Sequence, residues 1–244
     1  MDRDLLKEWL IKGCEQAEIS LTEIQLTRLL DYADLVLETN KTMNLTRITS
    51  MEEFAIKHFV DCLLLAKVGI NFNSRGIDIG TGAGFPGVVL ACYYSEAEIT
   101  LLDSLAKRIN FLKLVKDKLG LARVSCLHHR AEDLARDSEH RETYDWVTAR
   151  AVAALPTLIE YCSPFVKLNG HFVAMKAGDI QAELSESKFA MKELGLELIS
   201  VAHFSLPFEM GERSILVFHK KSHVSAEYPR KAGIPNKKPL IGLA

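Results

Sequence analysis

Cysteine is sparse: five of 244 residues, with Cys14, Cys62, Cys92, Cys126 and Cys162 far apart along the chain. No two stand in C-x-x-C spacing and the number is odd. That argues against a zinc site or a disulfide framework and for reduced thiols in a cytosolic protein. No stretch approaches the ~20 consecutive apolar residues that a membrane helix needs. The N-terminus, Met1-Asp2-Arg3-Asp4, is charged and lacks the apolar core of a signal peptide, so nothing in it suggests export. Glycine (14) and proline (7) are too few for a disordered chain, and there is no internal repeat or low-complexity tract.

A strong overall charge is also missing, since the net is −2. The balance is nevertheless uneven. From Lys220 to Ala244 six basic residues face one acid, Glu227, so this end carries +5 and the remainder −7. A basic tail on an acidic body suits contact with a polyanion, and a solvated terminus explains it equally well.

What is present falls into three parts: a helical region over 1–70, an alternating region over 71–221, and a proline-containing basic tail over 222–244. In the first, Ser20-x-x-Glu23 and Ser50-x-x-Glu53 have the form of capping boxes ahead of apolar residues at helical spacing. The second alternates short apolar strands (76–79, 98–102, 123–127, 145–149, 170–175, 196–204, 214–219) with helices (86–94, 105–119, 155–166, 181–194). Such alternation predicts a mostly parallel seven-stranded sheet covered on both faces. Leu206 to Gly211 is too short for a crossover helix, so the last strand should run antiparallel.

The most informative stretch is Asp78-Ile79-Gly80-Thr81-Gly82-Ala83-Gly84-Phe85-Pro86-Gly87, which follows a strand and opens a helix. Glycines there let a ligand approach the backbone closely. The spacing also satisfies the dinucleotide pattern, so other features must decide the ligand. Asp78 places an acid where a ligand's ammonium group could meet it, directly or through water. Asp103 ends the second strand 23 residues after Gly80, where a carboxylate can accept from ribose hydroxyls. No separate substrate domain follows, as a dehydrogenase would usually need. S-adenosylmethionine fits these features better than NAD.

The blocks Asn44-Leu45-Thr46, His58-x-x-Asp61, Asp78 to Gly87, Leu101 to Arg108, Arg130-Ala131-Glu132 and Ala149 to Val152 span most of the chain. Together they resemble the 16S ribosomal RNA guanine-N7 methyltransferase family, also called glucose-inhibited division protein B. The tail Tyr228-Pro229-Arg230-Lys231-Ala232-Gly233 is similar to the family's Gram-positive branch. Cys62 and Ala177 depart from common family residues, but neither departure touches the proposed cofactor contacts.

The resemblance implies a Rossmann-like class I methyltransferase with a helical N-terminal region. Its cofactor would be S-adenosylmethionine, and its target a guanine in the 530-loop region of 16S rRNA within the small ribosomal subunit. DNA, membrane and metal play no part in that reading, the location is cytoplasmic, and nothing demands more than a monomer. Cofactor contacts fall on Asp78, Gly80, Gly82, Gly84, Phe85, Asp103, Ser104, Ala131, Glu132 and Arg150.

Guanine N7 carries an unprotonated lone pair, so transfer needs positioning more than a general base. Arg150, His58, Asp61 and Asn44 are the candidates to orient the substrate, and Lys107 with Arg108 could grip phosphates. Cys162 reads as a packed thiol, because its surroundings do not match a cysteine nucleophile motif. Two other readings remain at this stage: a methyltransferase acting on another RNA, a protein or a small molecule, and a nucleotide-binding module without catalysis. The tail, 222–244, is expected to add little to the core and to grip RNA.

Overall fold

The computed structural model describes residues 2–242. Seven strands form one sheet: β1 (Arg75–Ile79), β2 (Glu98–Asp103), β3 (Val124–His128), β4 (Tyr144–Arg150), β5 (Val166–Ala177), β6 (Leu196–Ser205) and β7 (Glu212–Lys220). Their spatial order is β3-β2-β1-β4-β5-β7-β6. β1 to β5 pair in parallel, while β7 runs antiparallel to both β5 and β6. The hairpin expected from the short 206–211 connection is therefore present. The order also reverses between β1 and β4, and in open α/β sheets ligands bind beyond the carboxyl ends at such a point.

Alternation along the strands divides the core in two. Trp146, Val173, Met175, Ile215 and Val217 face one side and join the N-terminal helices Arg3–Gln16 and Glu23–Met43 in a continuous apolar cluster. Val147, Phe172, Ala174, Leu216 and Phe218 face the other and pack on the helix Leu155–Cys162. Among the described residues no helix is long and apolar enough to cross a membrane.

Local signals hold with adjustments. The second helix starts at Glu23, capped by Thr22, not Ser20: Gln25 N donates to Thr22 Oγ1 and Thr22 N to Gln25 Oε1. Thr22-x-x-Gln25 has the same box form two residues downstream, and it wins. Ser50 caps Met51 as expected, accepting from Glu53 N. The helix expected over 181–194 divides at Ser187, whose hydroxyl donates to Glu183 O and competes with the helical ladder. The helix from Leu155 ends at Cys162, since Pro164 cannot donate into it.

The C-terminal segment differs most from expectation. Val224, Tyr228 and Leu240 are buried in the second cluster, so this segment is part of the core. Arg141 donates to the carbonyls of Val224, Ser225 and Tyr228. Arg230 clasps Glu160, a carboxylate with no solvent exposure, through Nε and Nη2 at 2.5–3.1 Å. Lys220 is fully buried on Ser163 and Glu142, and burial lowers its pKa to about 8. Two of the six basic residues are thus structural cations, and neither acidic partner, Glu160 or Glu142, lies near its cation along the chain.

Candidate cofactor and substrate site

β1 leads straight into the glycine turn, whose glycines do different work. Gly80 (φ +68°) and Gly82 (φ +64°) are left-handed, which favours glycine on conformational grounds alone. A Cβ on Gly82 would meet nothing nearer than Gly80 O at 4.0 Å, so it would project into free space. A Cβ on Gly84 would instead strike Val88 and the Tyr32 hydroxyl, and one on Gly87 would strike Leu101. Gly84 admits the neighbouring second helix and Gly87 lets its own helix pack close on β1 and β2; of these glycines only Gly82 leaves room for a ligand. Tyr32, on the second helix, donates to Ala83 O at 2.6 Å and ties the N-terminal helices to the turn.

Two cavities meet at Gly80, one of about 560 Å³ and one of about 240 Å³. The smaller is lined by Asp103, Ser104, Ala131 and Glu132, all singled out in the sequence. Asp103 Oδ2 accepts from Gly82 N at 3.0 Å and from Arg108 at 3.2 Å, while Oδ1 accepts from Leu105 N. Arg108 is therefore a partner of the acid and not a free phosphate grip.

Asp78 is placed otherwise than expected. It is wholly buried and lines neither cavity. Its Oδ2 accepts from Gly87 N at 2.8 Å, which holds the turn closed, and among the described residues Oδ1 has no partner. Burial raises its pKa to about 7.

The larger cavity is walled by Phe85, His58, Asp61, Arg150 and Arg213. His58 and Asp61 come from the helical run starting at Met51, at and just beyond a π-helical stretch, Ala55–Val60. Such wider turns recur where side chains are aimed at a site. Asp61 accepts from Arg150 Nη1 and from Arg213 Nε, both at 2.9 Å. One carboxylate thus faces two guanidiniums, leaving a positive cavity suited to an anionic group. The Phe85 ring stacks on His58 at 4.3 Å and carries the Arg150 guanidinium 5.2 Å from its centroid. Ala151, next to Arg150, is held at φ +56°, the kind of strained backbone that clusters at ligand sites.

Asn44 is not brought to this group. It is exposed and ends the second helix, and Leu45 and Ile48 line the cavity instead. Arg213 was missed. Its signal was the hairpin itself: the reversed β7 begins beside the end of β5, with Arg213 opposite Ala177.

His58 is buried between Thr46 Oγ1 (2.8 Å) and Arg150 (3.3 Å). Burial, aided by the Arg150 charge, lowers its pKa to about 3. At neutral pH its imidazole is therefore unprotonated. Because the unfolded chain titrates near 6.5, the unfolded state takes up protons first and stability falls as pH drops below that value. Between pH 6.5 and 5 the loss should be about 2 kcal/mol. Urea melts of wild type and His58→Asn would show it, the variant losing less over that interval; identical pH profiles would contradict the assignment.

A profile of the family described as rRNA small subunit methyltransferase G matches residues 25–215. The chain belongs to that family. It is 43% identical over 229 residues to the ribosomal RNA small subunit methyltransferase G of Alkaliphilus metalliredigens, covering 93% of this chain and 96% of the relative. The protein of the same name from Desulfitobacterium hafniense is 46% identical over 227 residues, 93% and 94% of the two chains. Among solved structures, a SAM-dependent methyltransferase from Aquifex aeolicus superposes with a TM-score of 0.52 at 16% identity, covering 68% of this chain and 92% of the other. That likeness shows the class I methyltransferase fold. The matched span, 25–215, takes in Arg150 and Arg213 and ends before the C-terminal segment.

Proposed function

We propose that this chain transfers a methyl group from S-adenosylmethionine to N7 of a guanine in the 530-loop region of small-subunit ribosomal RNA. The observation that carries the reading is the pair of cavities meeting at Gly80, with a nucleoside-sized space by Asp103 and a positive space by Arg150. The sulfonium of the cofactor supplies a methyl already activated for displacement. Asp103 accepts from the ribose hydroxyls, Gly82 provides clearance for the chain of the ligand, and Ser104, Ala131 and Glu132 enclose the base. Arg150 and Arg213, tethered by Asp61, hold the methionine carboxylate or an RNA phosphate. His58 and Phe85 form a stacked, uncharged wall, and a neutral imidazole suits a reaction in which no proton need be removed from the attacking nitrogen.

The test uses S-adenosylmethionine labelled in its methyl group, mixed with small ribosomal subunits, deproteinised 16S RNA, or neither. Label should enter RNA, and borohydride reduction followed by aniline should cut the strand at one guanine. Label found only in protein, or at a site resistant to that cleavage, would refute the assignment.

Asp103→Ala should weaken binding of S-adenosylhomocysteine by about 1.5–3 kcal/mol, one to two decades, through lost bonds to a charged acceptor. Unchanged affinity in calorimetry would remove Asp103 from the ribose.

A further inference from the structure

The smaller cavity has one wall that its neighbours in sequence do not supply. Asn236 lines it, more than a hundred residues beyond Glu132 and outside the matched span of the family. Asn236 lies on a single helical turn, Ile234–Lys237, fixed from several sides. Glu132 Oε1 accepts from Gly233 N at 2.9 Å, and Thr157 donates to Pro235 O at 3.1 Å. Arg230, anchored on Glu160, donates to Lys238 O at 2.7 Å. Pro235 and Leu240 are buried on either side.

The side chain of Asn236 is by contrast exposed, and among the described residues it makes no hydrogen bond. A carboxamide carries an acceptor beside a donor. Adenine presents the complement at N6 and N7, an amino donor next to a ring-nitrogen acceptor, and asparagine reads that pair with two bonds, whereas an oxo group at position 6 leaves two acceptors there. Holding the turn rigid removes much of the ordering cost of such a contact. Glu132 serves both partners, since one carboxylate oxygen is already committed to the C-terminal backbone.

We propose that the C-terminal segment completes the adenosine pocket, with Asn236 as the residue that recognises the adenine edge and Glu132 as the link that positions the segment. This rests on the cofactor reading above. It also inverts the expectation that the tail is a free arm: its removal would impair cofactor binding.

The test titrates the full chain with S-adenosylhomocysteine and with S-inosylhomocysteine, in which an oxo group replaces the adenine amino group. Wild type should prefer the adenine ligand. Asn236→Ala should bind it about tenfold more weakly, lose little affinity for the inosine ligand, and keep the wild-type melting temperature. Equal affinity of variant and wild type for S-adenosylhomocysteine would overturn the proposal, and so would an equal loss on both ligands. Wild type that binds neither would overturn the cofactor reading beneath it, and the role of Asn236 with it.

Discussion

Arg230→Ala is expected to lower the unfolding free energy by about 3–5 kcal/mol and the melting temperature by about 10 °C. The reason lies in Glu160, which has no solvent exposure and takes three bonds from the Arg230 guanidinium. Without that cation the carboxylate keeps only the backbone N of residue 230, at 2.8 Å. A buried charge stripped of its counter-ion is among the most damaging changes a fold can suffer. Arg230→Lys should recover part of the loss, because lysine restores the charge but not the planar fork. Urea and thermal melts decide it; a loss below about 1 kcal/mol would demote the pair to a surface-like contact.

The second large effect concerns the ligand. Gly82→Val should reduce affinity for S-adenosylhomocysteine by more than about a hundredfold, to the limit of calorimetry, because its side chain would fill the free space beside Gly80. The substitution also strains a left-handed residue, costing about 1–3 kcal/mol of stability. Gly120→Val separates the two causes. Gly120 has nearly the same φ, +63°, at the end of the helix Ala106–Leu119, and nothing lies within 4 Å of its Cβ. That control should lose similar stability and bind the ligand like wild type. Wild-type affinity in Gly82→Val would place the cofactor elsewhere.

What could be read from the sequence was whatever has a local cause. Apolar periodicity located all seven strands to within a few residues, and the brevity of 206–211 foretold the reversed strand. Asp103, Ser104, Ala131 and Glu132 reach one cavity because each stands at or just past the carboxyl end of a strand, a placement that topology enforces. His58, Asp61 and Arg150 do converge, though only the structure reveals that they are joined by Arg213. Asn44 looked similar to them and is not with them, since helix capping claims it.

The failures share a physical origin: contacts between residues far apart leave no periodic trace. Glu160 with Arg230 and Glu132 with Gly233 are separated by 70 and 101 positions. A proline-containing basic tail has the composition of a solvated segment, and three buried apolar residues outweigh that composition. Asp78 is the converse case. Its position before the glycines suggested a ligand contact, whereas in the structure it is buried and accepts from the amide of Gly87.

The spatial order of the strands also bears on the chain while it is being made. β7 is the last strand to be synthesised, yet it lies between β5 and β6. Until Lys220 has emerged, β5 presents an open edge, and β6 has nothing to pair with. The apolar face beneath Val224, Tyr228 and Leu240 stays uncovered for still longer. A nascent chain halted before Lys220 is therefore not a slightly weakened enzyme. It is a five-stranded sheet with an exposed edge and an oily face, the species that chaperones capture and that aggregates when they do not.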